Sequence, residues 1–253
     1  EIAALTGLAK KNGLTLVFDA AHALGSSYHG KPIGSFGAAE VFSFHATKFV
    51  NTGEGGAITT NDDALAAKLR AERRFGFDNH EPTIDLGTNG KMAEICAAMG
   101  LTYLDSFDEL RVANAATHAQ YKTELSDIPG ISLLPLDKTG ACNHQYIVTT
   151  VDEALAGLSR DDLLRVLEAE NILAKRYFYP GCHRIIAGKL PQNGNQLPVT
   201  ERLTNSVLVL PGGASMKTGE IHRVCETIRL AASHGAEIHQ VFTGSSSHKT
   251  VSK

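Results

Sequence analysis

The chain has 253 residues, of which 43% are apolar and 20% charged, as in ordinary globular proteins. Its formal net charge of −3 gives no electrostatic reason to expect binding to nucleic acid or to an anionic membrane. No apolar run approaches the roughly 18 residues of a membrane span. The four cysteines lack the spacing of zinc ligands, and a disulfide framework is not expected in a chain of this size.

The first part of the chain alternates predicted helices and strands. Apolar residues at helical spacing predict a helix over residues 2–12. The apolar run 14–18 predicts a strand buried on both faces, as in a parallel sheet. Further strands are predicted over 40–44 and 56–60, and the polar triplet 61–63 predicts the cap of a following helix.

The middle of the chain is rich in strong helix formers. Residues 91–125 predict one long helix, or two with a kink near Gly100. Residues 144–151 then alternate between apolar and polar, which predicts a half-exposed strand. Ser159 and Asp162 have the spacing of a capping box and predict the start of another helix.

The last part of the chain predicts a strand, a turn and a closing helix. The strand and turn fall on 205–213, and the amphipathic closing helix on 220–233, ended near Gly235. The polar tail 243–253 is predicted to be disordered.

These patterns predict an α/β protein with two domains and a tail. Residues 1–105 are expected to form part of a large domain with a mainly parallel sheet, and 106–242 a linking helix and a small α+β domain. The tail is 243–253. The chain begins without Met and inside an amphipathic pattern, which favours a fragment or a processed chain, and its start does not resemble a signal peptide.

Three chemically useful side chains follow predicted strands. Asp19 and Ser43 stand at strand ends, and Lys48 lies in the next loop, so all three are expected at the edge of the sheet where ligands bind. A phosphate loop is excluded, because its glycines precede the lysine and here they follow it. Lys48 is therefore either a solvated surface lysine or a lysine that forms a Schiff base with a carbonyl compound.

The sequence segments around these residues resemble those of a known family. The segments "FDAAHALG", "GSFGAAEVFSFHATKFVNTGEGGAITTND", "LGTNGKMAEICAAMGL" and "AKRYFYPGCHR", in this order, resemble the DegT/DnrJ/EryC1/StrS sugar aminotransferases. These are fold-type-I enzymes that use pyridoxal 5'-phosphate. The resemblance covers the chain except its tail, and it implies that the chain is N-terminally incomplete.

The resemblance implies a role for each of five residues. Lys48 is similar to the catalytic lysine that forms the Schiff base, and Asp19 to the carboxylate paired with the pyridine nitrogen. His22 is similar to a residue beside the cofactor ring and Ser43 to a phosphate ligand. Asn89 is similar to an asparagine that reaches the cofactor phosphate of a neighbouring subunit, which implies a homodimer with shared active sites.

Two further histidines are candidates for substrate contact. His45 either orders its loop or touches the substrate, and His183 is expected near the substrate. His22, His29 and His45 lack the short spacing of metal ligands, so no metal site is expected.

The expected function is the transamination of a nucleotide-linked keto-deoxy sugar in the cytoplasm. Within the family, the motifs resemble enzymes that aminate a dTDP-4-keto-6-deoxyhexose at C4, with glutamate as the amino donor, and a 3-keto sugar or a keto-cyclitol is an alternative. Dehydrating relatives carry His in place of the lysine, so Lys48 favours transamination. The second hypothesis is a truncated, catalytically silent chain with a dimerisation or regulatory role.

Overall fold

The structure, a computed structural model, describes residues 1–77, 86–136, 138–185 and 197–244. Its internal contacts divide the chain into two compact units. Unit 1 comprises the described residues of Glu1–Val112 and Leu136–Gln145, and unit 2 those of Ala113–Pro135 and Tyr146–Lys253. The domain boundaries given above from the sequence stay predictions.

Along the chain, the described part of residues 1–112 in unit 1 forms a helix, then five short strands, then further helices. Its elements are α1 (Ile2–Lys11), β1 (Val17–Asp19), β2 (Ser27–Tyr28), β3 (Lys31–Pro32), β4 (Ala39–Ser43), β5 (Gly56–Thr59), α2 (Asp63–Glu72), α3 (Glu94–Asp105) and the start of α4 (Phe107–Glu124). The predicted helix 2–12 and strands 40–44 and 56–60 are confirmed. As predicted, the polar triplet caps α2, because the Asp62 carboxylate accepts hydrogen bonds from two backbone N–H groups of its first turn.

The sheet of unit 1 has the order β1–β4–β5. Strands β1 and β4 are parallel, with Asp19 opposite Val41. Strands β4 and β5 are antiparallel, with Ser43 opposite Gly56. Since β1 and β4 run in the same direction, their carboxyl ends lie at one edge of the sheet, which is where the sequence places Asp19 and Ser43.

One face of this sheet is more exposed than the sequence predicted. Leu14 is 65% exposed, Val17 52% and Ile58 49%. The expectation that residues 14–18 are buried on both faces is therefore wrong. Apolar, β-branched residues favour a strand, but burial also requires an element packed over them, and the described residues leave Val17, Val41 and Ile58 open to solvent.

The long helical region consists of two helices that meet at Ser106, between α3 and α4. The alternative of two helices is confirmed, but the position of the break near Gly100 is wrong. Gly100 is buried inside α3, and a Cβ atom there would lie 2.8 Å from Cγ2 of Thr52. Glycine at this position thus permits close packing and does not interrupt the helix.

Unit 2 is built around an antiparallel sheet of order β6–β7–β8. Its elements are the rest of α4, then β6 (Ile131–Leu133), β7 (Ile147–Val151), α5 (Glu153–Ala156), α6 (Arg160–Ala169), α7 (Cys182–Ile185), α8 (Pro198–Ser206), β8 (Val207–Leu210), α9 (Thr218–Ser233) and α10 (Gly235–Gly244). The predicted alternation of β7 is confirmed. The predicted capping box is also present, since Ser159 and Asp162 each accept a backbone N–H at the start of α6.

The C-terminal end of unit 2 differs from the prediction. Helix α9 ends at Ser233, close to Gly235 as predicted, but a further helix, α10, which the sequence did not predict, follows it and includes Thr243. A Cβ atom at Gly235 would collide with the carbonyl oxygen of Ala156, so this glycine permits close packing. Residues 245–253 of the predicted tail lie outside the described residues.

Within the described ranges, each helix is either too short or too polar to cross a bilayer.

Candidate active site

Asp19 and Ser43 lie on the same face of the unit 1 sheet, at the carboxyl ends of two neighbouring strands. Asp19 pairs with Val41, and Ser43 lies two residues farther along β4, so alternation places both side chains on one side. Oδ1 of Asp19 accepts a hydrogen bond from the Ala21 N–H at 3.0 Å. Oγ of Ser43 accepts one from the His45 N–H at 3.3 Å.

Lys48 contacts His22 directly. Its Nζ lies 2.8 Å from Nε2 of the His22 ring, although 26 positions separate the two residues. Partial burial and the charge of Lys48 lower the pKa of His22, against the opposite effect of Asp19. The imidazole is therefore neutral near pH 7, so its Nε2 accepts a hydrogen bond from the lysine amine.

The loop that carries Lys48 is closed by its own backbone. The Lys48 N–H donates to the carbonyl of His45 at 2.9 Å, and the Thr52 N–H to the carbonyl of Phe44 at 2.9 Å. Gly55 has φ +148°, and a Cβ atom there would lie 2.6 Å from Oγ1 of Thr52. Glycine at this position therefore permits the close approach of Thr52.

His45 orders the loop around Lys48. Its Nδ1 accepts the Thr47 N–H at 3.2 Å and lies 3.0 Å from the Thr47 hydroxyl. Its Nε2 lies 3.9 Å from Oε1 of Glu54. These contacts favour the first of the two alternatives for His45, and its contact with substrate stays a prediction.

Asn89 and His183 belong to different units. Asn89 is exposed, and its segment pairs with Arg74 through an isolated β-bridge. His183 lies in α7 of unit 2, with Nε2 2.7 Å from Oε1 of Glu201, and the same carboxylate binds Arg184. The roles assigned to Asn89 in cofactor binding and to His183 in substrate binding stay predictions.

Two polar residues near the site were missed by the sequence analysis. Asn143 is 4% exposed, and its side chain donates to the carbonyl oxygens of His22 and Leu24. The side chain of Gln145 contacts the backbone on both sides of Lys48. Polar residues before a strand are common in loops, so no local pattern predicts this placement.

The residues of this site fit pyridoxal 5'-phosphate. The cofactor requires a carboxylate for its ring nitrogen, an amine for its aldehyde and donors for its phosphate. Asp19, Lys48 and Ser43 have this chemistry, and their assignment to the three parts of the cofactor stays a prediction. Oδ2 of Asp19 has no hydrogen-bond partner among the described residues, so it is available to a ligand. Within the described ranges, no cluster of three or more His, Cys, Asp or Glu side chains is placed to hold a metal ion.

Comparisons with known proteins agree with this chemistry. A sequence model of the DegT/DnrJ/EryC1/StrS aminotransferase family matches residues 1–229. The dTDP-4-amino-4,6-dideoxy-D-glucose transaminase of Shigella dysenteriae is 32% identical, over 89% of this chain and 61% of that protein. The dTDP-3-amino-3,4,6-trideoxy-alpha-D-glucose transaminase of Streptomyces venezuelae is 33% identical, over 90% of this chain and 59% of that protein.

The fold is also shared with solved structures. The crystal structure of DesI in the presence of its TDP-sugar product has a TM-score of 0.84 and 46% sequence identity, and the match covers 94% of this chain and 61% of that one. The predicted fold class, a fold-type-I pyridoxal-phosphate-dependent transferase, is confirmed by such neighbours.

The match is long with respect to this chain and partial with respect to its relatives. The chain spans about 60% of the length of these proteins. Pyridoxal 5'-phosphate is the cofactor of the family, as expected from the resemblance. The chain belongs to the DegT/DnrJ/EryC1/StrS aminotransferase family.

Proposed function

We propose that this chain carries the catalytic lysine of a pyridoxal-phosphate-dependent aminotransferase that acts on a nucleotide-linked keto-deoxy sugar. The observation that carries the proposal is the 2.8 Å contact between Nζ of Lys48 and Nε2 of His22, beside Asp19 and Ser43 at one edge of the sheet. The contact holds the amine of Lys48 in place, and a general base must lie within hydrogen-bonding reach of the proton that it moves.

Each residue of the site has a separate task in the proposed reaction. When bound, pyridoxal phosphate supplies an aldehyde that exchanges amino groups and a ring that takes up electrons. The carboxylate of Asp19 holds a proton at the ring nitrogen, and the hydroxyl of Ser43 binds phosphate oxygen. Nζ of Lys48 removes and returns the substrate proton, and Nε2 of His22 accepts a hydrogen bond that orients this amine.

The proposed substrate is a dTDP-4-keto-6-deoxyhexose, aminated at C4 with glutamate as donor. Support comes from the relative named for dTDP-4-amino-4,6-dideoxy-D-glucose and from DesI with its TDP-sugar product. The relative named for dTDP-3-amino-3,4,6-trideoxy-alpha-D-glucose favours a 3-keto sugar as the alternative. Because the proposed substrate is a nucleotide-linked sugar, we also propose that the enzyme is cytoplasmic.

We also propose a homodimer in which Asn89 contributes to the partner's cofactor site. The exposed position of Asn89 is compatible with contact to a second subunit, and two-fold dimers are the commonest oligomers. Sedimentation of the purified chain tests the dimer. An Asn89→Ala variant that remains dimeric and binds pyridoxal phosphate as tightly as the unchanged chain contradicts the role of Asn89.

An amino-transfer assay tests the function. The purified chain is supplied with pyridoxal phosphate, ¹⁵N-labelled glutamate and dTDP-4-keto-6-deoxyglucose, and labelled amino sugar is measured by mass spectrometry. We expect Lys48→Met to lower the rate by about 10³-fold or more, because the variant has no amine for the proton transfer. Lys10→Met, at an exposed lysine of α1, is the control and retains the rate.

Two results of this assay contradict parts of the proposal. Equal rates for Lys48→Met and the unchanged chain rule out Lys48 as the catalytic lysine. A higher rate with the 3-keto isomer than with the 4-keto sugar leaves the transaminase in place and overturns the assignment of C4.

A further inference from the structure

Residues 141–145, which we call the strap, belong to unit 1 although they follow Lys48 by more than ninety positions. One end of the strap is tied to Ser27. The Ser27 N–H donates to the carbonyl of Ala141 at 2.9 Å, and the Ala141 N–H donates to Oγ of Ser27 at 2.8 Å. Reciprocal bonds of this kind fix the strap in one register against the 22–29 region.

Within the strap, the side chain of Asn143 is hydrogen-bonded to the backbone of the loop that carries His22. Asn143 is 4% exposed, and both donors of its amide are used on one loop. Nδ2 donates to the carbonyl of His22 at 2.8 Å and to the carbonyl of Leu24 at 2.9 Å. A buried amide with satisfied donors fixes the backbone to which it is bonded, since breaking these bonds leaves polar groups unpaired.

The second side chain of the strap holds the Lys48 loop. Oε1 of Gln145 accepts the N–H of Phe49 at 3.2 Å. Nε2 of the same side chain donates to the carbonyl of Thr47 at 3.3 Å. Gln145 therefore binds the backbone immediately before and immediately after the catalytic lysine.

A local turn presents these two side chains together. His144, between them, has φ +51°, a left-handed conformation that is uncommon for a residue with a side chain. Oδ1 of Asn143 accepts the N–H of Gln145 at 3.1 Å and closes the turn. The same asparagine thus stabilises the turn and holds the His22 backbone, so the positions of the two loops are coupled through three residues.

We propose that Asn143 and Gln145 are positioning residues that keep Nζ of Lys48 and Nε2 of His22 within hydrogen-bonding distance. The proposal rests on the proposed role of Lys48 as the proton carrier. The side chain of lysine is long and flexible, and His22 lies on a different loop, so their 2.8 Å contact requires that both backbones be fixed. The strap is bonded to both backbones through side chains two positions apart.

The test is the titration of His22 by NMR in the cofactor-free chain. Burial lowers the pKa of His22, the charge of Lys48 lowers it further, and the charge of Asp19 raises it. His22→Gln identifies the signal, and Lys48→Met shows the shift when the lysine contact is lost completely. Gln145→Met removes both hydrogen bonds of the strap glutamine at nearly equal volume. Gln120→Met is the matched control, because Gln120 also makes two side-chain hydrogen bonds, to Glu124 and Thr218 within unit 2.

The expected midpoint of His22 in the unchanged chain lies below the ordinary value of 6.5. Gln145→Met raises it toward that value, by at least about half of the rise seen in Lys48→Met, and Gln120→Met leaves it unchanged. A Gln145→Met chain that folds and keeps the His22 midpoint of the unchanged chain overturns the proposal. A loss of stability alone does not support it, because a residue that only stabilises the fold would give the same result.

Asn143→Leu is the second variant, and the same rise is expected of it. Because the titration is performed without cofactor, its outcome does not depend on transaminase activity. If the amino-transfer assay fails but Gln145→Met raises the His22 midpoint as expected, the proposed function is refuted and the coupling of the two loops is supported.

Discussion

Unit 2 buries a continuous apolar core, whereas unit 1 is organised mainly by hydrogen bonds to its loops. The core cluster joins the sheet of unit 2 to α6 and α9, and its most buried members include Leu167, Leu208 and Ile228. The buried apolar residues of unit 1 are mostly small, namely Ala9, Ala20, Ala39, Phe42, Phe49, Val50 and Ala71. The unit that carries the candidate active site is thus the one with less buried apolar surface of its own.

This difference indicates which interactions stabilise each unit. In unit 2, the transfer of apolar surface from water is the main stabilising term. In unit 1, buried polar side chains fix loops, as Glu40 does for the backbone N–H groups of Gly34 and Phe36 and Asn143 for the His22 loop. Such an arrangement positions side chains for chemistry, because each hydrogen bond specifies a distance and a direction.

The largest effect on stability is expected from the core of unit 2. Leu208 in β8 is fully buried, so Leu208→Ala should lower the free energy of unfolding by about 2–5 kcal/mol, through lost burial and the cavity that remains. Val41→Ala, on the exposed face of the unit 1 sheet, should lower it by less than about 1 kcal/mol. Denaturant unfolding measures both, and equal losses contradict the contrast between the units.

The next effect concerns a buried carboxylate in unit 1. Glu40 is 1% exposed, and its Oε2 accepts the N–H groups of Gly34 at 2.6 Å and Phe36 at 2.7 Å. Glu40→Ala leaves both donors without this acceptor and should destabilise the chain by about 2 kcal/mol. Glu40→Gln retains an acceptor oxygen and should cost less. If the two variants lose the same stability, a neutral acceptor oxygen at this position is not sufficient, and the account of Glu40 as a replaceable acceptor is wrong.

A smaller effect separates two glycines of the loop after Lys48. Gly53 has φ +74° with open space around it, so Gly53→Ala should cost about 1 kcal/mol in backbone strain alone. At Gly55 an added Cβ atom would also meet Oγ1 of Thr52 at 2.6 Å, so Gly55→Ala should cost more. Thermal unfolding of the pair gives the comparison, and the reverse order is incompatible with this loop geometry.

The smallest effect is a pH dependence in unit 2. Burial alone would raise the pKa of Asp162, but hydrogen bonds from His239 and Ser159 outweigh it and lower the pKa below the ordinary 3.8. A lowered carboxyl pKa adds stability at neutral pH that is lost as the pH falls below about 3.8 through the folded-state value. His239→Ala should therefore move the midpoint of acid unfolding to higher pH.

A matched control for this pair is His234→Ala. His234 and Glu237 also form a histidine–carboxylate pair, at 3.2 Å, but both side chains are more than half exposed, so this pair should contribute little. Equal shifts of the acid midpoint in both variants argue against a special role for Asp162 at the start of α6.

Much of the secondary structure follows from local patterns in the sequence. The capping residues Asp62 and Ser159, and the alternation in β7, act within a few residues of the chain, and the structure has them as predicted. Glycine was less informative. Gly235 follows the end of α9, as predicted, but Gly100 lies inside α3, where it permits close contact with Thr52, which local patterns do not encode.

The candidate site was predictable in part. The order of Asp19, Ser43 and Lys48 after strands placed them at one edge of the sheet, and the observed pairing of β1 with β4 agrees. The contact between Lys48 and His22 depends on how two loops fold, and the strap reaches them from more than ninety positions away. Long-range contacts through single polar side chains leave no periodic signal in the sequence.

The most direct measurement of the central claim is chemical trapping of the cofactor. The purified chain is incubated with pyridoxal phosphate, reduced with borohydride, digested and mapped by mass spectrometry. We expect the pyridoxyl group on Lys48 in the unchanged chain and its loss from this peptide in Lys48→Met. Stable attachment to a different lysine in the unchanged chain, with Lys48 unmodified, would contradict the account.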